Sequence, residues 1–150
     1  MAYVLKGRPG GCIACEALKA GVNAESLVLF RGKTCFVMLN RYPYNTGHLM
    51  ICPVRHVKDP SEMTDEELLE TMKLVARCSD LLRKRMNAGG VNAGLNLGQA
   101  SGGSVDHLHM HVVPRWVGDV NFMPVISGTK TLVEMLDGTW ARLREEVASW

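Results

Sequence analysis

Three histidines alternate with apolar residues in His107-Leu108-His109-Met110-His111, within a chain of 150 residues that has five histidines in all. A strand turns successive side chains to opposite faces, so this spacing places the imidazoles on one face and Leu108, Met110 and Val112 on the other. Same-face neighbours lie roughly 6.5–7 Å apart, which lets three rings line one groove. A neutral imidazole is a competent nucleophile near neutral pH when an acceptor holds the proton of one nitrogen and leaves the other lone pair free. Alternating histidines also suit zinc, but the following Val112-Val113-Pro114 offers no further ligand. Gly98-Gln99-Ala100-Ser101-Gly102-Gly103-Ser104 stands just before the histidines, and such a loop can turn several backbone N–H groups toward one anion. Loop and histidines together point to chemistry at a phosphate.

A second constellation is Cys12-Ile13-Ala14-Cys15, whose spacing suits zinc but is shared by thioredoxin-like redox motifs. A redox motif should follow a parallel strand, whereas the residues before Cys12 are rich in Gly and Pro, so zinc is the expected ligand. It needs two more donors. The other cysteines, Cys35, Cys52 and Cys78, stand in apolar runs and read as small core residues. An odd total of five in a chain without a secretion signal argues against a disulfide framework.

The elements that must position these groups follow from periodicity. Glu16 to Ala20 forms a short helix, and Ser26 to Phe30 and Thr34 to Leu39 form a hairpin around Arg31-Gly32-Lys33. A turn-rich stretch leads to a strand over Gly47 to Cys52, closed by Pro53. Thr64 and Glu67 make a capping box for a helix whose apolar stripe continues to about Met86. Two strands are expected at Ala93 to Leu97 and His107 to Val113, and a last helix from about Leu132 to Val147. This order predicts an α+β domain, an antiparallel sheet with helices on one face and the other face free for a site.

A chain of this length buries roughly 70% of its unfolded surface in one core. Lys and Arg number 17 and Asp and Glu 15, with no basic block or stripe, so no nucleic-acid duplex partner is expected. Phosphate recognition must then be local. No run of about 18 apolar residues suits a membrane helix, and the start carries no secretory leader, so the cytoplasm is the expected compartment.

His107-Leu108-His109-Met110-His111-Val112-Val113 resembles the His-x-His-x-His-x-x signature of the histidine triad (HIT) superfamily. The resemblance continues through Asn40-Arg41-Tyr42-Pro43, Thr46 to Pro53, Arg55-His56, Asn96-Leu97-Gly98 and Gly102-Gly103-Ser104, from about Cys12 to Pro114. It implies one HIT domain over residues 1–150, with a core of about 12–114 and an extension over 115–150. It also implies a five-stranded antiparallel sheet and a homodimer in which two sheets join. By resemblance, His109 attacks the α-phosphorus of a nucleotide and becomes nucleotidylated. His111 and backbone amides near Ser104 contact the phosphate oxygens, where charge develops in the transition state. Asn96 matches an amide beside the phosphate and Asn40 a ribose contact, although both also suit turns. His56 and His107 match the ligands that complete a Cys12–Cys15 zinc site in zinc-binding members. His48 reads as a buried, hydrogen-bonded imidazole near the site.

Many hydrolase and phosphoramidase members carry Gln where this chain has Gly103. The glycine is expected to leave room for inorganic phosphate as acceptor, and Gly103→Gln to turn products toward hydrolysis. Pro114-Arg115-Trp116 and Gly118 to Phe122 resemble the bacterial diadenosine tetraphosphate phosphorylase branch, with Trp116 a candidate base-stacking or packing residue. The leading expectation is phosphorolysis of diadenosine tetraphosphate to ADP and ATP. The alternatives are a hydrolase of dinucleoside polyphosphates or nucleoside phosphoramidates, and a nucleotide-binding or zinc-stabilised interaction protein without turnover.

Overall fold

Period-two alternation in the strands and helical periodicity between them build the molecule. The computed structural model describes residues 11–103, 105–119 and 134–150. Within them the chain runs α1 (Ile13–Ala20), β1 (Val28–Arg31), β2 (Cys35–Leu39), β3 (Leu49–Pro53), α2 (Asp65–Met86), β4 (Gly90–Leu95), β5 (Met110–Arg115) and α3 (Leu136–Val147). The five strands form one antiparallel sheet in the order β1-β2-β3-β5-β4. Among the described residues no helix is long and apolar enough to cross a membrane.

Alternation sorts the strands into two layers. Cys35, Val37, Leu39, Leu49, Ile51 and Val112 face a core shared with Leu74, Cys78, Leu81 and Leu82 of α2 and Leu143 and Val147 of α3. Phe36, Met38 and Cys52 face the other way and pack under Ala14 and Ala17 of α1. The helices are therefore not confined to one face. Helix α1 covers the outer face at the β1, β2 and β3 side, and leaves β5 and β4 uncovered there.

Helix α2 begins where its capping box places it, with the Thr64 side chain accepting from the Glu67 N–H and the Glu67 carboxylate accepting from the Thr64 N–H. Glu67, only 3% exposed, also receives Arg55 Nε and Nη2 at 2.8 Å each. That guanidinium holds the Glu67 carboxyl down to about 2, and so fixes the segment that carries His56.

Every strand is offset by one to a few residues from the sequence expectation, most consequentially β4 and β5. Strand β4 spans Gly90–Leu95, not Ala93 to Leu97, and β5 starts at Met110 rather than His107. The ladder between β3 and β5 ends at the Ile51 and Met110 pair. Pro53, at the end of β3, has no N–H to extend it, and its carbonyl is taken by the His107 ring. Residues 107–109 stay tied to the β3–α2 connection by the Leu108 N–H donating to Val57 O at 2.7 Å. The expected start of the last helix at Leu132 lies outside the described residues.

Candidate functional site

Cysteines at positions i and i+3 share one face of a helical turn. Cys12 caps α1 and Cys15 sits in its first turn, so both sulfurs meet the loop after β3 and the segment before β5. Cys12 Sγ lies 3.2 Å from His107 Nδ1, and Cys15 Sγ lies 3.5 Å from both His107 Nδ1 and His56 Nδ1. The four ligand atoms fall within 4.8 Å of one another. A tetrahedral zinc with bonds of about 2.3 Å to sulfur and about 2.0–2.1 Å to nitrogen has sulfur–nitrogen edges of roughly 3.5 Å. The donor set and its spacing thus fit zinc. His107 Nε2 donates to Pro53 O at 2.9 Å, which fixes the proton there and leaves Nδ1 facing the sulfurs. Burial, with Cys12 beside it, holds the Cys15 thiol above its ordinary range, the reverse of what a redox thiol needs.

The three imidazoles do not line one groove. His107, 1% exposed, is committed to the cysteine cluster, and only His109 and His111 face each other, edge to face with centroids 4.7 Å apart. His109 Nδ1 lies 2.7 Å from the His107 carbonyl. A carbonyl only accepts, so Nδ1 carries the proton and Nε2 carries the lone pair. Among the described residues none hydrogen-bonds that Nε2.

A second chain of partners sets His111. The Tyr44 backbone N–H donates to His48 Nδ1 at 3.0 Å, so neutral His48 has its proton on Nε2. That proton goes to His111 Nδ1 at 2.9 Å. His111 therefore presents Nε2–H outward, 3.3 Å from Asn96 Nδ2. Two donors then face one space, which an anionic oxygen would satisfy. Tyr44 lies over both rings, 4.6 Å from His48 and 5.5 Å from His111, with its hydroxyl 3.4 Å from Asn96 Nδ2. Burial, then His109, lowers His111 to about 4. At neutral pH it is an uncharged donor.

Other expected site residues fall differently. Asn40 Oδ1 accepts from the Tyr42 N–H at 2.9 Å and its amide approaches His48 Nδ1 at 3.4 Å, so it shapes the turn beside the site. Trp116 packs against the helix-side core and donates its indole N–H to Met86 O at 3.2 Å, a packing position rather than a base-stacking one. Ser104 and residues 120–122 lie outside the described residues. At Gly103 a Cβ would stand 2.7 Å from Gly98 O and 3.0 Å from Asn96 O. The glycine is there because the loop folds on itself, so the expected vacated volume is filled by the chain's own carbonyls. Gly103→Gln would push the loop apart and cannot report on the acceptor.

Sequence reasoning passed over Tyr44 and the Arg115–Asp119 pair. Asp119 receives Arg115 Nε at 2.8 Å and Nη2 at 2.7 Å, and Asn45 Nδ2 at 2.9 Å. The resemblance over Pro114 to Trp116 and Gly118 to Phe122 spans both Arg115 and Asp119, but only their i,i+4 spacing hinted that they pair.

Among the described residues, the sheet thus presents a histidine whose Nε2 has no hydrogen-bond partner beside an uncharged histidine donor, a candidate site for group transfer. Residues 22–117 match the HIT domain family model, and the chain belongs to that family. It is 44% identical over 125 residues to an AP-4-A phosphorylase of Mycobacterium tuberculosis, a match covering 83% of this chain and 64% of that protein. The chain thus spans less than two thirds of that relative's length. An uncharacterized HIT-like protein of Methanocaldococcus jannaschii, MJ0866, is 32% identical over 108 residues, 72% of this chain and 81% of that protein. In fold, the chain is similar to a Zn-bound histidine triad family protein from Mycobacterium smegmatis, with a TM-score of 0.75, 24% identity and coverage of 93% and 94%.

The direction of the His111 shift gives a pH prediction. Its folded value lies below the ordinary histidine value of about 6.5, so the unfolded chain binds the proton first. His111 then contributes stability that is present above about pH 6.5 and is lost as pH falls toward 4. NMR of the ring nitrogens should show His111 uncharged at pH 5.5, as the tautomer with its proton on Nε2. A ring already half protonated near pH 6.5 would contradict this geometry.

Proposed function

We propose that this protein transfers a nucleotidyl group from a dinucleoside polyphosphate through His109, with inorganic phosphate as acceptor. The observation that carries this reading is His109 itself, held with its proton on Nδ1 and its Nε2 lone pair free beside two N–H donors, His111 Nε2 and Asn96 Nδ2. The substrate class and the acceptor are supported by the similarity to an AP-4-A phosphorylase. Nε2 bonds to the α-phosphorus as the phosphoanhydride P–O bond breaks, and the leaving nucleotide departs with the electron pair. His111 and Asn96 donate to the phosphoryl oxygens, where charge develops. In the second half, a phosphate oxygen attacks the same phosphorus and the electron pair of the N–P bond returns to Nε2. The backbone around Ser104 and the Asn40 side chain complete the phosphate and ribose contacts in this reading.

Product analysis from diadenosine tetraphosphate tests the reading. With millimolar phosphate the products should be ADP and ATP, and His109→Ala should lower the rate by roughly 10³-fold or more while nucleotide binding persists. AMP and ATP as main products under saturating phosphate would make it a hydrolase. Binding without turnover would make it a nucleotide-binding protein. Activity of His109→Ala within about tenfold of wild type, ~1.4 kcal/mol, would mean another nucleophile.

Cys12, Cys15, His56 and His107 hold zinc in this proposal. Zinc would supply a cross-link between α1, the loop after β3 and the segment before β5, in keeping with a closed set of four protein ligands. His107 keeps its Nε2 proton on Pro53 O and its carbonyl on His109. Purified protein should contain about one zinc per chain. Cys12→Ala should lower zinc content and cost on the order of 2 kcal/mol, a fall in Tm of about 4–8 °C for a chain of this size. Metal-free protein of unchanged Tm would refute the site.

The protein also assembles as a homodimer through β4 in this reading. Among the described residues strand β4 pairs only with β5, so its outer edge has ladder groups to offer, and Leu69, Met72 and Leu97 are 57%, 58% and 45% exposed. Sedimentation equilibrium should give twice the chain mass at micromolar concentration. Leu69→Glu combined with Met72→Glu should shift it to the monomer, and a monomeric wild type would refute the assembly.

A further inference from the structure

The outer face of the sheet is asymmetric about His111. In register, His111 has Met50 of β3 on one side and Gly94 of β4 on the other. On the β3 side lie α1 and, beyond the end of β2, Asn40. On the β4 side a groove of about 270 Å³ stays open, lined among others by Tyr44, Asn92, Gly94, Asn96, His111 and Arg115. That volume is close to the lower end of small-molecule sites, roughly 300 Å³.

The lining has a definite chemistry. Tyr44, 48% exposed, stands at the His111 end with its ring across the imidazole and its hydroxyl near Asn96. The far end carries a guanidinium. Arg115 is locked in place because Nε and Nη2 are spent on Asp119, while Nη1 stands 3.5 Å from Asn92 Oδ1. A guanidinium has five N–H donors, so donors remain on the groove side, held without further loss of rotamer freedom. Asp119 balances most of the charge, which favours hydroxyls, ring nitrogens and a solvated phosphate over a bare anion. Between the two ends the floor is Gly94, where an added Cβ would meet nothing within 4 Å.

We propose that this groove is the subsite for the departing half of the substrate, the nucleoside phosphate that leaves when His109 takes the α-phosphoryl group. The inference rests on the function proposed above. Strand order supplies the direction. A nucleotide whose ribose lies at Asn40 and whose α-phosphate lies between His109 and Asn96 has its first half on the β2 and β3 side. The rest of a dinucleotide then continues onto β4, where Tyr44 offers an aromatic face and Asn92 and Arg115 offer polar contacts. A mononucleotide stops short of the groove.

Calorimetry of diadenosine tetraphosphate and of AMP, each binding to the His109→Ala protein and to that protein carrying Gly94→Val or Asn92→Ala, tests the subsite. Gly94→Val fills the floor without a clash and should weaken diadenosine tetraphosphate by about tenfold or more, while AMP changes less than twofold. Asn92→Ala, exposed and unable to disturb the core, should weaken the dinucleotide about threefold and AMP not at all. Parallel weakening of both nucleotides, or no effect on the dinucleotide from either variant, overturns the subsite. A protein that consumes diadenosine tetraphosphate yet shows either of those results loses the groove and keeps its activity. One that binds neither nucleotide loses both proposals.

Discussion

The site depends on one imidazole that never faces it. His107 is buried, and a buried ring nitrogen or carbonyl without a partner costs about 1–3 kcal/mol; both ring nitrogens and the carbonyl have partners. Nε2 donates to Pro53 O, Nδ1 meets the two cysteine sulfurs, and the main-chain carbonyl accepts from His109 Nδ1. These contacts join α1, the end of β3 and His109 through a single residue. They also explain why the ladder stops at Met110. The three residues before it are held by side chains and by Val57 rather than by a neighbouring strand.

The second dependence is on uncharged histidines. His48 is 0% exposed and His111 8%, and burial keeps His111 uncharged at neutral pH. Their order is imposed by a backbone group with only one possible role, the Tyr44 N–H, and it passes through His48 to His111 without any net charge. The site thus presents a lone pair at one ring and an N–H at the next, by partner identity alone.

Much of this was legible in the sequence, for reasons that differ by residue. The alternation at 107–111 gave the sharing of one outer face, and the capping box at Thr64 and Glu67 gave the start of α2, because both patterns are local. The Cys-x-x-Cys spacing fixed the geometry of its own turn, but Cys12 and His107 are 95 residues apart, and their meeting was available only through family resemblance. Pairing partners were not readable either, so the strand was drawn to His107 when Pro53 ends it at Met110. Trp116 stayed open between two readings because an aromatic near a site and an aromatic in a core look alike in one dimension, and only its place against the core and Met86 O distinguishes them. Tyr44 was hidden in a turn whose Pro43 and Asn45 drew the reading toward chain reversal.

Gly103 bears on how such proteins can change over generations. The Gly98 and Asn96 carbonyls stand where any side chain at 103 would begin, so a glutamine there is not one substitution away from this sequence in any workable sense. The turn must first be rebuilt, since both obstacles are backbone atoms rather than the yielding end of a side chain. A side chain at 103 therefore needs compensating changes in the loop before it can be accommodated.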